Sequence, residues 1–580
     1  MPPKSQNGPQ QQFMFVGGPT LKEQSGNVRS TLLRRVLAEK RSKRRQDAAE
    51  KLDSMLNAQG KLPEPALCTC RSVPEQGAGS TLDSREPNQA TNYPLLRPRD
   101  SQAGTLQGLS DRCPTCGGLL PRAPVSASQH PGVPGPQLRL GAGRSDPLLP
   151  VDATAIRLKV HELLDFTATT LWPHFRSQGY ASNCYKSWVF PFENDLQVYA
   201  VLWAASYHRD ILRITYGASE PQLESKEQLE LKSLALRALQ REVANISETT
   251  CPDALVMCIL YLAVNDKHKS KISRDPSPFS PPFTTLQAVD FYGSREYHPL
   301  HWNVVQDIVR RFGGIQNLQM FALAWLLSLS DLMSAVQTIS KPIYPIVGLE
   351  GKPLDLQGPG LLFQPHGHRD PLDGGGSGFH ELFYIWPPVR QEVVSAFIHL
   401  GQYSSVLQHF SGEACSPVVL DLLGDSRNLV HHHLLSLPDE NDPIELIIQC
   451  KDRSATENEL SREIYLTCRL SAILYAVHVT FPLPRSQLPR QRILEALLPR
   501  FDRLRAQNVV RPLVLWCVAV AISVLGDDTP EPLVSYMTHL FQDAGVDTLV
   551  KLVALLQSFA WVETAVQGTW KGRWMRFFPS

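Results

Sequence analysis

The densest chemistry in the sequence is cationic. Val28–Arg45 reads VRSTLLRRVLAEKRSKRR and holds eight positive side chains (Arg29, Arg34, Arg35, Lys40, Arg41, Lys43, Arg44 and Arg45) against one acid, Glu39. Such groups neutralise phosphate oxygens, and a helix would bring Arg34, Arg41 and Arg45 near one face. Good helix formers dominate the stretch, and Ser30 is a suitable N-cap. Three readings stay open at this point: a solvated charged segment, an import signal carried by KRSKRR at 40–45, and direct DNA contact. A basic zipper would need leucine heptads after the basic run, and Leu52, Met55 and Leu56 are too few. The arginines are interchangeable as phosphate contacts, so none is singled out as a reader of base edges.

Thiols and imidazoles come next. Cys68-x-Cys70 and Cys113-x-x-Cys116 are the paired cysteines among eleven, and four thiolates are enough for one zinc ion. However, 42 residues separate Cys70 from Cys113, and the first pair encloses only one residue. These four remain weak candidates, and no metal site is expected. The other seven cysteines fall among helical patterns and are expected in the core. His431-His432-His433 on one helix would point in different directions and cannot share an ion. His366 and His368 fall in a glycine-rich loop.

No other reactive constellation is visible. Gly-x-Gly-x-x-Gly after a strand, a phosphate loop ending in Gly-Lys-Ser/Thr, and His-Glu-x-x-His are all missing from the sequence. Gly374–Gly378 lacks the strand–elbow–helix context of a hydrolase nucleophile and is read as a flexible loop. No catalytic residue and no cofactor are expected.

The elements that must position any site follow from charge and periodicity. The net charge of +1 conceals an uneven distribution: residues 1–60 carry +6, residues 61–150 carry +2, and the rest −7. A basic head before a mildly acidic body is the pattern of a nucleic-acid arm or a targeting signal. Residues 61–150 hold 14 prolines and 10 glycines without apolar periodicity, which reads as a disordered linker. The chain thus divides into a basic arm at 1–60, a linker at 61–150 and a folded body at 151–580. The start is polar and carries no apolar core of a signal peptide, and the longest apolar runs are too short to cross a bilayer. No membrane partner is expected.

The body is mostly α, a large helical domain of packed helix pairs, preceded by a disordered region with a short basic helix. Apolar residues recur at helical spacing over Ala153–Leu171, Asp195–Tyr207, Glu227–Val243, Ala254–Val264 and Trp302–Phe312. Later helices are expected at 317–338, 388–410, 457–480, 488–506, 511–525, 530–543 and 545–563. Trp172-Pro173 should break the first helix, and Gly313-Gly314 should end the fifth. Ser273–Pro282 and Gly348–Gly378 read as surface loops.

Several segments of this body resemble the regulatory domain of fungal-specific transcription factors. Glu227–Val243 with Asp253–Val264 resembles that family's Leu-rich helix pair. His301, followed twelve and thirteen residues later by Gly313 and Gly314 in Arg310-Arg311-Phe312-Gly313-Gly314-Ile315-Gln316-Asn317-Leu318, resembles its His…Arg-Gly-Gly helix. Asp331–Ala335 with Lys341–Pro345, then Arg469–Ala472, then Leu513–Leu525 centred on Trp516, resemble its later helices. Phe13–Val16 followed by Val28-Arg29-Ser30 is similar to the head of one subgroup. The likeness spans about 150–575.

The chain departs from the usual member in one respect. The six clustered cysteines of a zinc binuclear cluster are not in these 580 residues. The resemblance implies a nuclear regulator of transcription that is not an enzyme. It does not imply that this chain binds DNA: the expected partners are the transcription machinery or other regulators, with DNA and a second copy of itself as further candidates. His301, Gly313, Gly314, Asp331 and Trp516 are read as structural positions of the family motif, with glycine ending a helix and His301 and Asp331 bonding backbone groups.

Overall fold

The computed structural model describes residues 159–578 apart from 178, 191–193, 217–224, 246–250, 266–272, 364–374, 413, 450–453, 510 and 567. The basic arm, Cys68, Cys70, Cys113, Cys116, His366 and His368 lie outside the described residues, as do the expected linker and short basic helix.

The body is all α. Among the described residues no strand forms, only isolated bridges such as Phe279 with Val566. After α1 (Val160–Phe166) and α2 (Tyr180–Cys184) come α3 (Asp195–Thr215), α4 (Lys226–Ala244), α5 (Asp253–Asn265), α6 (Pro299–Arg311) and α7 (Leu323–Thr338). The later helices are α8 (Gln391–Phe410), α9 (Pro417–Ser436), α10 (Ala455–Tyr475), α11 (Gln487–Ala506), α12 (Pro512–Leu525), α13 (Glu531–Ala544), α14 (Leu549–Phe559) and α15 (Gly568–Met575). Packing is pairwise: α3 on α4, α5 on α3 and α6, α8 on α9, α10 on α11 and α12, and α12 on α13.

Local sequence sets many of the boundaries. Side-chain oxygens of Asn194, Ser225, Ser416, Ser454 and Thr548 accept from N–H groups in the first turns of α3, α4, α9, α10 and α14. Proline occupies the first turn of α6, α9, α12 and α13, where its missing N–H costs nothing. α7 and α12 bury nearly all round, so both read as continuous apolar runs in sequence. Most buried apolar residues form one cluster from Leu163 to Phe578, and Tyr207, Ile211 and Phe291 form a small second one. Trp516 of α12 sits inside it, fully buried, with its indole N–H donating to the Ala560 carbonyl (3.1 Å). Its ring stands edge-on to Phe379 at 5.1 Å and stacks beside Phe559 at 5.9 Å.

Several expectations need correction. The first helix does not stop at Trp172-Pro173: it widens to a π turn over Thr167–Leu171 and then tightens to a 3-10 turn over Trp172–His174. Helix α7 starts at Leu323 rather than 317, behind a left-handed Ala322. Helix α14 covers only Leu549–Phe559, because Gly545 at φ +65° closes α13 and Ala560 is extended. Helices α2, α9 and α15 were not expected. Gly375 and Gly376 are buried rather than a flexible loop: Gly376 N–H donates to the Phe559 carbonyl (2.8 Å), against Gly401 of α8. The Ser273–Pro282 stretch buries Phe279 and is stitched to the body through Asp275 N–H on the Pro484 carbonyl (2.7 Å) and Ser280 N–H on that of Ala565 (2.7 Å). Cys184, Cys258, Cys468 and Cys517 are buried thiols, but Cys251 is exposed and Cys415 half-buried. Cys450 lies outside the described residues.

Candidate functional site

The family-motif residues form one structural unit. Helix α6 ends where the Gly313 N–H reaches the Arg310 carbonyl (3.1 Å) and the Gly314 N–H the Val309 carbonyl (2.8 Å), the paired bonds of a Schellman terminator. Both glycines have positive φ, +85° and +111°. Asn317 Nδ2 donates to the Phe312 carbonyl (2.7 Å), satisfying another end group. The chain then turns into α7, which carries Asp331. That carboxylate is buried, and its Oδ2 accepts from the N–H groups of Ile343 (2.6 Å) and Tyr344 (2.9 Å). Burial pushes the Asp331 carboxyl up to about 6, although these two bonds pull the other way. Asp331 therefore pins the Lys341–Pro345 turn to α7. Asp253, at the start of α5, does the same for Gln319 and Met320. His301 lies half-buried on the first turn of α6, its ring 4.6 Å from that of His298.

This unit forms two walls of a cleft of about 650 Å³. Pro299, Trp302 and Asn303 come from α6; Ser334, Gln337 and Thr338 come from α7, one to two turns beyond Asp331. The third wall is Asp275 with Arg485, just before α11, and the start of α11, including Gln487, Leu488 and Arg492. The loop before α6 supplies the floor through Ser294, Arg295, Glu296 and Tyr297. Gln337 Nε2 donates to the carbonyls of Gly293 (2.9 Å) and Arg295 (3.0 Å), so α7 fixes the loop that carries Arg295.

The cleft is cationic at one end. Arg295 is buried, lies 4.5 Å over the Phe291 ring, and donates from Nη1 to the Tyr207 hydroxyl (3.3 Å). Burial lowers its pKa from the usual arginine range. Arg485 Nη1 meets Asp275 Oδ1 at 3.4 Å, and Asp275 Oδ2 also accepts the Gln487 N–H at 3.0 Å, so this acid is engaged twice. Arg492 is exposed and makes no hydrogen bond or ion pair with any described residue. The positive ends of α6 and α11 also face the cleft through Pro299 and Gln487.

Other concavities offer less. A shallow groove of about 530 Å³ runs beside Arg213 and Tyr216 on the surface. A void of about 30 Å³ inside the Trp172, Phe175 and Trp188 cluster holds little more than one water.

The three consecutive histidines diverge. His431 is buried in α9; its Nδ1 donates to the Arg427 carbonyl (2.6 Å) and its Nε2 accepts from the Thr480 hydroxyl (2.7 Å), which fixes a neutral tautomer. Burial pushes it down to about 3. His432 Nε2 donates instead to the Tyr344 carbonyl (3.0 Å). Among the described residues no group of three or more His, Cys, Asp or Glu is arranged to hold a metal ion.

Sequence reasoning missed a buried polar seam around α9. Asp425 pairs with Arg176, and Arg427 donates to the Leu286 carbonyl (3.1 Å) and Gln287 Oε1 (2.8 Å) while lying 4.8 Å over the Phe481 ring. Asn428 Nδ2 shares the same Gln287 oxygen (2.8 Å). The only sequence signal for this helix was its Ser416-Pro417 start.

The fold is thus an all-α body of paired helices with a polar cleft at the family-motif unit. The model of the fungal specific transcription factor domain matches residues 162–575, and the chain belongs to that family. No curated protein and no solved structure matches it. Among the described residues no helix is long and apolar enough to cross a membrane.

Proposed function

We propose that the protein is a nuclear transcriptional regulator whose helical body receives a partner or effector and whose basic arm serves import and contacts DNA phosphates. The observation that carries this reading is the family match over almost the whole helical body. The cationic cleft supports an effector role for that body, since a binding site is expected at a formed pocket with convergent polar groups. The eight basic residues of 28–45 support the arm's role. On this reading the chain binds rather than catalyses, and it meets other regulators or a second copy of itself through the body.

A second reading has a specific observation in its favour. Without a six-cysteine cluster in these 580 residues, the chain acts as a cofactor or scaffold recruited by another DNA-bound protein. Two experiments separate the readings. A reporter fused to residues 1–60 enters the nucleus if the arm is an import signal. Salt-sensitive retention of the intact chain on DNA, lost by a 61–580 truncation, supports arm contact; equal retention of both removes the arm from the account.

A further inference from the structure

We infer that the cleft between α6, α7 and the start of α11 is a binding site for a small organic anion: one carboxylate or phosphate group on an aromatic or aliphatic body. The inference rests on the effector reading above and gives that effector a chemical class.

Three features converge. The volume of about 650 Å³ suits a ligand of metabolite size. Three arginines line it: Arg295 is buried with its guanidinium held on Tyr207 and Phe291 and adds positive charge beneath the floor, while the guanidinium forks of Arg485 and Arg492 match the planar oxygens of carboxylate and the faces of phosphate. Two acids line it, Asp275 and Glu296, against the three arginines; Asp275 is already spent on Arg485 and the Gln487 N–H, and neither acid pairs with Arg492 on the rim. A ligand anion supplies the missing counter-charge.

Apolar groups are interleaved with these polar ones. Tyr297 of the floor and Trp302 of α6 stand edge to face at 5.2 Å, and Leu488 of α11 lines the same space. A bare inorganic ion would leave Tyr297, Trp302 and Leu488 uncovered, so the ligand carries an apolar body. Gln337 is the positioning residue: its two bonds to the Gly293 and Arg295 carbonyls hold the Arg295 loop against α7. Ligand occupancy is thereby linked to α7, and through Asp331 to the 341–345 turn.

The test uses the intact chain and three probes at constant ionic strength. Phenyl phosphate carries both charge and body, inorganic phosphate only the charge, and benzyl alcohol only the body. Phenyl phosphate should raise the thermal midpoint saturably, by about 1.5 °C at ten times its dissociation constant. Inorganic phosphate should bind at least fivefold more weakly, and benzyl alcohol should give no saturable shift. Arg492→Glu, on an exposed side chain that folding does not need, should weaken phenyl phosphate at least tenfold. Arg241→Glu, an exposed arginine of α4, should leave it unchanged. No saturable shift in the wild type, equal affinity for phenyl and inorganic phosphate, or equal binding by Arg492→Glu overturns the proposal. Failure here leaves chromatin occupancy untouched, whereas binding without chromatin occupancy would keep the site and remove its transcriptional role.

Discussion

Asp331→Asn isolates the cost of burying one charge at the centre of the family motif. In the folded protein burial pushes the carboxyl up to about 6, against roughly 3.9 in an unfolded chain. Between those two values the folded state binds more protons than the unfolded state. Stability therefore falls as pH rises through the window, and the whole cost is present above pH 6. At 1.36 kcal/mol per pKa unit, ionised Asp331 costs ~3 kcal/mol at pH 7.5, of which about half is recovered at pH 5. Asparagine keeps a carbonyl oxygen for the Ile343 and Tyr344 N–H groups but carries no titratable charge. The difference in stability between wild type and Asp331→Asn should thus move by about 1.5 kcal/mol in favour of wild type on going from pH 7.5 to 5. For a body of this size that is a relative shift in thermal midpoint of about 1–2 °C. Other titrating groups cancel in the difference. Midpoints measured for both proteins across pH 5–8 give the answer directly. Parallel curves would refute the reasoning, since they would mean that the Asp331 charge is as well solvated in the fold as outside it.

Two further outcomes follow from the same physics. Gly313→Ala places a Cβ at φ +85°, which costs about 1–2 kcal/mol, while Gly313→Asn should cost less because asparagine tolerates that region. Midpoints should fall in the order Gly, Asn, Ala, and an alanine variant as stable as wild type would contradict the terminator. His431 titrates in the opposite sense: it is held neutral, down to about 3. The unfolded state then binds more protons, and stability drops as pH falls below about 6.5. His431→Gln should be destabilised at pH 7.5, yet lose about 2 kcal/mol less than wild type between pH 7.5 and 5. Identical pH dependence in denaturant titrations would remove His431 as the cause.

Parts of this architecture are legible from residue type alone. A Gly-Gly pair after an amphipathic run has one common use, and Gly313-Gly314 ends α6 as expected. Helices α7 and α12 announce themselves as unbroken apolar runs, with Trp516 inside the second. Helix α9 does not, because its inward face carries Asp425, Arg427, Asn428 and His431, and buried polar residues erase the apolar period. Their burial depends on partners such as Arg176, Gln287 and Thr480, each distant in sequence. The cleft is illegible for a related reason. Arg295, Gln337 and Arg492 line one cleft only because the loop before α6, α7 and α11 pack around one space, and no spacing in the chain encodes that arrangement. The exposed Leu229 and Leu236 show the converse: a leucine-rich helix does not bury every leucine.

The central claim is that this helical body works on chromatin, brought there with the help of the basic arm. Genome-wide occupancy tests it most directly. The intact chain is compared with the same chain lacking residues 28–45 and given an unrelated import signal, so that loss of import does not mimic loss of binding. Discrete sites for the intact chain, weakened or lost in the deletion, are the predicted result. An intact chain with no enrichment above background would contradict the regulator reading, and unchanged sites in the deletion would contradict the arm's contact with DNA.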